Sequence, residues 1–193
     1  MRRHIARLLF AVPLVMGLFA LTVGSLLGAA APRVVVLTAT GVVDDVFAGY
    51  LSDGIAAAAR DGAAAVVIRL NTPGGSLDAT NDIVGTLLDA DVPTIVWVAP
   101  SGGRAASAGT FITLAANIAV MAPGTNIGAA SPIGSDGQDI PGTLGQKVKN
   151  DAIAKIRSIA EERHRNVDWA VSTVDTAVST AANEAVSIKA VDG

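Results

Sequence analysis

Three short apolar stretches, rich in β-branched residues, alternate with segments in which apolar residues recur at helical spacing. The short stretches cover residues 33–39, 64–71 and 93–99, and turn residues bound each of them. Runs of this kind are typical of parallel strands that are covered on both faces. Residues 44–62 and 76–92 carry the helical pattern. Strands that alternate with helices predict βαβ units, and therefore a parallel sheet with right-handed crossovers.

The second half of the chain continues this pattern and then changes. Residues 107–116 predict a helix and residues 117–122 predict a strand. Residues 134–145 are rich in Gly, Pro and Asp, which predicts a surface loop. Residues 147–166 form an amphipathic helical pattern. At about 100° per residue, its apolar face consists of Val148, Ala152, Ile153, Ile156, Ile159 and Ala160.

The first 31 residues differ from the rest of the chain. A basic opening precedes an apolar run from Leu8 to Gly28, and small residues follow it. The run is 21 residues long, enough for a helix to span a bilayer, and basic and small flanks are typical of export. We therefore predict a signal peptide or a retained membrane anchor over residues 1–31 and an exported domain over residues 32–193. A buried core helix is the alternative interpretation of the run.

Composition narrows the function classes open to residues 32–193. This part has 11 basic and 17 acidic residues, a net charge of −6, and no basic cluster interleaved with aromatic residues. It therefore lacks the signature of a nucleic-acid-binding protein. The absence of cysteine excludes disulfides and thiolate metal sites, and one histidine outside the leader cannot form a histidine metal cluster. We expect neither a metal nor a cofactor.

Two glycine-containing turns follow predicted strands, where ligands collect in open parallel sheets. One turn is NTPGGS, residues 71–76, and the other is PSGGRAASAG, residues 100–109. Two glycines in the first turn allow backbone N–H groups to face a ligand. In the second turn Ser107 begins a predicted helix, where a serine acts either as an N-cap or as a nucleophile.

Small residues flank Ser107 on both sides. They indicate either tight helix packing or the close approach of another backbone, and we interpret them as room for an extended substrate. The two turns together supply what acyl transfer requires. Ser107 provides a hydroxyl, Ala108 provides the following N–H, and the Gly74–Gly75 loop provides a second N–H for the oxyanion.

A serine nucleophile needs a base, and the sequence offers histidine or lysine. His164 lies in the charged end of the last helical pattern, where we expect a solvated surface residue. A lysine base must be neutral, a state that burial favours. Periodicity puts Lys149 near the middle of the apolar face, whereas Lys147 is free to turn inward only if the helix begins just after it. Helical periodicity alone therefore favours Lys149.

Three motifs occur in order: LNTPGGSLDATNDIV, VAPSGGRAASAGTFITLAANIAVMAPGTNIGAASPIG and KVKNDAIAKIRSIAEERHRN. Together they resemble the membrane-associated serine proteases of the NfeD family, whose N-terminal domain belongs to the Clp protease/crotonase superfamily. The resemblance covers roughly residues 33–193. It implies an α/β fold with a Clp protease/crotonase-like parallel sheet of ββα/βαβ units and flanking helices.

The resemblance implies a role for each candidate residue. It assigns the nucleophile to Ser107 and the base to Lys147, 40 residues later. It assigns the oxyanion hole to Gly74, Gly75 and Ala108. On this basis Lys147 takes precedence over the residue that periodicity favours, and Lys149 remains the runner-up base.

The resemblance also implies a function and partners. It implies a membrane-associated serine endopeptidase that cleaves hydrophobic polypeptide segments, associates with stomatin-like membrane proteins and forms a dimer or larger homo-oligomer. With the predicted leader, it implies a location on the extracytoplasmic side of the membrane. Three alternatives remain: a signal peptide peptidase of the Ser-Lys type, a crotonase-like acyl-CoA enzyme, and a non-catalytic peptide-binding scaffold of the same fold.

The end of the chain departs from the family pattern. Residues 179–193 are a degraded version of the family's ending, which predicts a loosely formed last strand or helix. Long family members continue into further domains, so we expect this sequence to be either a short form or a fragment.

Overall fold

A computed structural model describes residues 31–134 and 136–193, and the predicted leader lies outside them except for Ala31. Arg33–Gly193 form one compact unit. Its elements in chain order are β1 Val34–Thr40, α1 Asp45–Arg60, β2 Ala65–Asn71, α2 Leu77–Leu88, β3 Thr94–Val98, β4 Arg104–Ala106, α3 Ala108–Ala115, β5 Ile118–Met121, β6 Asn126–Gly128, α4 Gly142–Glu162, α5 Val167–Asp175, β7 Ser179–Ala181 and α6 Ala182–Ser187. None of the helices described here is long and apolar enough to cross a bilayer.

Four strands form a parallel sheet in the order β1-β2-β3-β5. Leu37 pairs with Ile68, and Ile68 pairs with Val96. Val96 pairs in turn with Ala119, and all four residues of this row are buried. The parallel sheet that the alternation of strand and helix patterns predicts is confirmed.

The opposite face of this sheet is less covered than the strand pattern predicts. Val36 is 60% exposed, Trp97 39% and Ile118 44%. Burial alternates along β2, whose even-numbered residues are buried and whose odd-numbered residues are half-buried. The expectation of strands covered on both faces is therefore wrong for this part of the sheet. The sequence misleads here because β-branched residues suit a pleated strand whether or not its face is covered.

The sequence pattern does not predict the second sheet, which has three strands. β4 pairs parallel with β6, and β6 pairs antiparallel with β7. Each strand has three residues, which is too short for a period of two to stand out. A bridge between Thr72 and Ala105 attaches β4 to the end of β2. The second sheet thereby fixes the path of the chain just before Ser107.

Helix α4 begins at Gly142, within the segment that the sequence predicts as a loop. Glycine is a poor helix former, so the composition of this first turn conceals the helix. The predicted apolar face is confirmed: Ala152, Ile156, Ile159 and Ala160 are buried, and Val148 and Ile153 are half-buried.

The last residues are firmly attached, so the expectation of a loosely formed end is wrong. Asp192 N–H donates to the Ala119 carbonyl at 2.8 Å, and Met121 N–H donates to the Gly193 carbonyl at 2.8 Å. The buried Arg165 guanidinium donates to the Asp192 carboxylate at 2.8 Å. Two of these three contacts use backbone groups, which side-chain patterns do not reveal.

Candidate active site

Ser107 occupies a strained turn between β4 and α3, with φ 52° and ψ −114°. A positive φ is uncommon for any residue with a Cβ, and it persists only where the surroundings impose it. Ser107 N–H donates to the Gly128 carbonyl at 3.0 Å, and Thr110 N–H donates to the Ser107 carbonyl at 2.9 Å. The Thr110 hydroxyl lies within hydrogen-bond distance of the carbonyls of Ala105, at 3.1 Å, and Gly128, at 3.2 Å. The turn is thus held from both sides.

The Ser107 hydroxyl does not cap the helix that it precedes. Ser107 stands at the N-cap position of α3 but makes no side-chain capping hydrogen bond. By comparison, the Ser76 hydroxyl at the start of α2 accepts from Ala79 N–H at 3.4 Å. The capping explanation for a serine at this position therefore does not apply.

Gly74 allows the first glycine-containing turn to approach Ser107. It has φ 116°, and a Cβ added to it would lie 2.6 Å from Ser107 Cβ. Its N–H donates to Thr72 Oγ1 at 3.0 Å, and its carbonyl accepts from Val43 N–H at 2.9 Å. Because its N–H already donates to Thr72, Gly74 contributes the close approach of the two turns rather than a free N–H group.

Gly75 and Ala108 line the same cavity as Ser107. Within the described residues, neither N–H donates to a protein acceptor. Ala108 is the first residue of α3, where N–H groups have no intrahelical partner. The carbonyl of Val43 would lie 2.0 Å from a Cβ at Gly75, so this position also requires glycine. Two N–H groups therefore remain available beside the hydroxyl.

The cavity at Ser107 is small, with a volume of about 60 Å³, and its lining mixes polar and apolar surface. Side chains from α2, α3 and the segment after β6 form its walls. Besides the three residues already described, its lining consists of Leu77, Thr80, Phe111, Ala130, Pro132 and Ile133. A space of this size suits a small side chain.

Two of the small residues near Ser107 serve internal packing. Ala105 is fully buried, and a Cβ at Gly109 would lie 2.7 Å from Thr72 Cγ2. The interpretation of these positions as room for a substrate is therefore wrong. Their small size lets α3 pack tightly against the end of β2.

Lys147 is the sixth residue of α4, and its side chain is exposed. It lines a second cavity, of about 340 Å³, between α4 and the start of α2. Leu77 lines both this cavity and the one at Ser107. Lys147 and Ser107 thus line neighbouring cavities that share Leu77, and no hydrogen bond joins them in the described part of the chain.

The two other candidate bases have different surroundings. Lys149 Nζ lies 2.7 Å from the Asp175 carbonyl and 2.8 Å from Asp175 Oδ1. His164 is exposed just beyond the end of α4, as the sequence predicts. Periodicity favours Lys149 as an inward-facing residue, but its side chain is 39% exposed and contacts Asp175, a partner that the sequence pattern does not reveal.

Sequence reasoning missed the residues that shape the turns. Thr72 holds Gly74 and contacts Gly109, while Thr110 and Gly128 hold Ser107. The threonine directly before the PGG motif was a usable signal, since threonine hydroxyls often bond to backbone groups two residues on. Among the residues that the structure describes, no group of three or more His, Cys, Asp or Glu side chains could hold a metal ion.

Comparison of the sequence with known proteins identifies a family and two relatives. The family model described as "NfeD1b, N-terminal domain" matches residues 33–190. The chain is 40% identical over 135 residues to membrane-bound protease PH1510 of Pyrococcus horikoshii, covering 68% of this chain and 30% of that protein. It is 28% identical over 133 residues to membrane protein NfeD1b of Bacillus subtilis, covering 69% and 29%. The chain spans about 30% of the length of these curated relatives.

Solved structures give the same fold. A serine-to-alanine mutant of the 1510-N membrane-bound stomatin-specific protease has a TM-score of 0.79 and 34% identity, over 85% of this chain and 80% of that one. A lysine-to-alanine mutant of that protease, in complex with a substrate peptide, has the same TM-score and identity and covers 75% of its chain. ClpP1 from Listeria monocytogenes has a TM-score of 0.62 at 20% identity over 83% of this chain and 89% of its own, which shows the fold alone.

These findings confirm the predicted Clp protease/crotonase-like α/β fold and the resemblance drawn from the three motifs. The family match covers nearly all of the compact unit, including both glycine-containing turns, Ser107 and α4. The chain therefore belongs to the NfeD1b N-terminal domain family.

Proposed function

We propose that this chain is the protease domain of a membrane-associated serine endopeptidase. One observation carries the proposal: a strained turn presents the Ser107 hydroxyl, which caps nothing, beside the N–H groups of Gly75 and Ala108. Such a strand-to-helix turn with adjacent N–H donors suits acyl transfer. Neither helix capping nor packing explains why a serine hydroxyl occupies this position.

In the proposed reaction Ser107 Oγ attacks the carbonyl carbon of the scissile peptide bond. Lys147, in its neutral form, accepts the hydroxyl proton and later donates it to the leaving amine. The N–H groups of Gly75 and Ala108 stabilise the negative oxygen of the tetrahedral intermediate. A water activated by Lys147 then hydrolyses the acyl-enzyme and regenerates the serine.

Substrate binding completes the dyad in this proposal. Lys147 is exposed in the cavity beyond Leu77, and proton transfer requires its Nζ to come within about 3 Å of Ser107 Oγ. A polypeptide that occupies both cavities displaces the Leu77 side chain and covers Lys147. Exclusion of water then favours the neutral amine that a base requires.

Three apolar side chains in the wall of the Ser107 cavity support a hydrophobic substrate. Leu77, Phe111 and Ile133 offer apolar contact, and the volume of about 60 Å³ suits a small apolar side chain before the scissile bond. A structural relative is a membrane-bound stomatin-specific protease. We therefore propose that the physiological substrate is a hydrophobic segment of a stomatin-like membrane protein.

The curated relatives are membrane proteins by name. We propose that residues 1–31 bring the domain to the membrane, as a retained anchor or as a signal peptide for export, and that the domain acts on the extracytoplasmic side as a homo-oligomer. This location would be contradicted if the domain were protected from added protease in intact, sealed cells and were digested only after permeabilisation.

Cleavage of hydrophobic peptides by the full chain in detergent tests the proposed activity. We expect Ser107→Ala and Lys147→Met to lower kcat/KM at least about 10³-fold, the size of effect expected when a member of a catalytic dyad is lost. Cleavage confined to signal peptides would favour the signal peptide peptidase, and coenzyme A binding would favour the crotonase-like enzyme. Peptide binding without cleavage, unaffected by Ser107→Ala, would favour the scaffold.

A further inference from the structure

Three consecutive carbonyls at the end of α5 connect two separate parts of the site. Thr173 carbonyl accepts from Ala130 N–H at 2.7 Å, and Val174 carbonyl accepts from the Ser131 hydroxyl. Asp175 carbonyl accepts from Lys149 Nζ at 2.7 Å. The last carbonyls of a helix have no intrahelical partner, which leaves them free for such contacts.

The first two contacts hold one wall of the Ser107 cavity. Ala130 lines this cavity, and Ser131 directly precedes Pro132, which also lines it. The third contact holds α4, the helix that carries Lys147. The end of α5 thus contacts both the wall of the Ser107 cavity and the helix that carries the proposed base.

The contact at Lys149 joins a cation to a helix C-terminus. Lys149 Nζ meets both the Asp175 carbonyl and, at 2.8 Å, Asp175 Oδ1. A positive charge here is favoured because the carbonyl end of a helix carries partial negative charge. The Lys149 side chain is 39% exposed and that of Asp175 is 54% exposed, so water screens much of the charge interaction.

The start of α4 has few other attachments to the rest of the domain. None of residues 142–151 is buried, and Ala152 is the first residue of α4 that contributes to the core. Within this described segment, Lys149 makes the one side-chain hydrogen bond or ion pair to another element. Lys147 lies two residues before this contact on the same helix.

We infer that Lys149 is a positioning residue, which sets the place of Lys147 relative to the Ser107 cavity through its contact with the end of α5. The inference rests on the proposed function. Lys149 Nζ contacts two oxygens of Asp175, whereas a general base must lie within reach of the serine hydroxyl. Lys149 thus supports the reaction without touching the substrate.

Hydrogen exchange of the full chain in detergent tests the positioning without reference to activity. In Lys149→Met we expect exchange of residues 142–151 to become at least about 10-fold faster, with residues 152–162 unchanged, since the former open locally and the latter belong to the core. Lys149→Arg restores the contact with Asp175 and exchanges as the parent does. Arg157→Met, which removes an exposed cation from the same helix, is the matched control and changes neither segment.

Labelling with a fluorophosphonate probe tests the consequence for chemistry. We expect Lys149→Met to lower the labelling rate about 10- to 100-fold and Lys149→Arg to restore it to within about 3-fold, because misplacing a catalytic group by about 1 Å has effects of this size. The rescue is decisive since a guanidinium is not deprotonated in proteins and cannot act as a base.

Failure of the inference and failure of the proposed function give different results. Unchanged exchange in Lys149→Met, with Ser107 and Lys147 still essential for labelling, overturns the inference alone. Loss of labelling in both Lys149 variants, with Lys147→Met still reactive, makes Lys149 the base and overturns the inference together with the Ser107–Lys147 dyad. Labelling that persists in Ser107→Ala overturns the proposed nucleophile, whereas the exchange result still decides whether Lys149 fixes α4.

Discussion

At the residue scale, the site depends on the unusual backbone conformations of two residues that lie close together, Ser107 and Gly74. Ser107 has a positive φ although it carries a Cβ, and Gly74 opposite has φ 116° and no Cβ. The two positions are so close that a side chain fits on one of them only. The absence of a side chain at Gly74 therefore leaves the space that Ser107 Cβ occupies, and this fixes the position of the Ser107 hydroxyl.

Gly74→Ala tests this requirement. The added Cβ would lie 2.6 Å from Ser107 Cβ, so we expect the turn at Ser107 to shift and probe labelling to fall by about 100-fold. Gly41→Ala is the matched control, because Gly41 has φ 121° but nothing within 4 Å of the added Cβ. Both variants carry backbone strain of about 1–3 kcal/mol, yet only Gly74→Ala should lose labelling. Equal labelling in the two variants would contradict the proposed close packing.

At the element scale, the ends of helices provide several of the contacts that fix the residues around the site. The start of α3 presents Ala108 N–H to the cavity, and the end of α5 accepts contacts from the cavity wall and from α4. The start of α5 is fixed by Asn166, whose Oδ1 accepts from Trp169 N–H at 2.9 Å and whose Nδ2 donates to the Ile188 carbonyl at 2.8 Å. One side chain thereby joins α5 to the segment after α6.

Asn166→Ala should lower the free energy of unfolding by about 1–2 kcal/mol, because α5 loses its N-cap. Asn166→Asp keeps the acceptor for Trp169 N–H but loses the donor to the Ile188 carbonyl. We therefore expect its free energy of unfolding to lie between those of the parent and Asn166→Ala. Urea unfolding followed by tryptophan fluorescence measures both. A loss in Asn166→Asp as large as that in Asn166→Ala would mean that the contact with Ile188, rather than the cap, holds α5.

At the scale of the whole described domain, Arg165 joins distant parts of the chain. Its side chain is buried, and it donates to the carbonyls of Leu114 at 3.2 Å and Ala116 at 3.1 Å as well as to Asp192. These contacts tie the last residues of the chain to the far end of α3, the helix that begins beside Ser107. Ala190 and Val191, which directly precede Asp192, are buried in the core.

Arg165→Met should lower the free energy of unfolding by about 2–4 kcal/mol, because two buried carbonyls lose charge-assisted hydrogen bonds. Arg157→Met, at an exposed position on α4, should change it by less than about 0.5 kcal/mol. Urea unfolding compares the two variants directly. A loss below about 0.5 kcal/mol in Arg165→Met would show that the end of the chain contributes little to the fold.

The sequence predicts the main sheet, the apolar face of α4 and the place of Ser107 before a helix because these follow from the spacing of side chains. It fails where backbone groups decide the structure. The strands β4 and β6 are too short to show a period, and the attachment of residues 192 and 193 to β5 uses main-chain hydrogen bonds. The sequence likewise does not reveal that Gly74 N–H donates to Thr72 Oγ1, while Gly75 N–H has no acceptor among the described residues.

The most direct measurement of the central claim is fluorophosphonate labelling of the full chain in detergent, with mass spectrometry to locate the modified residue. We expect modification at Ser107, none in Ser107→Ala, and a rate at least about 10³-fold lower in Lys147→Met, because acylation requires both members of the dyad. Modification at another residue, or an unchanged rate in Lys147→Met, would contradict the proposed Ser107–Lys147 mechanism.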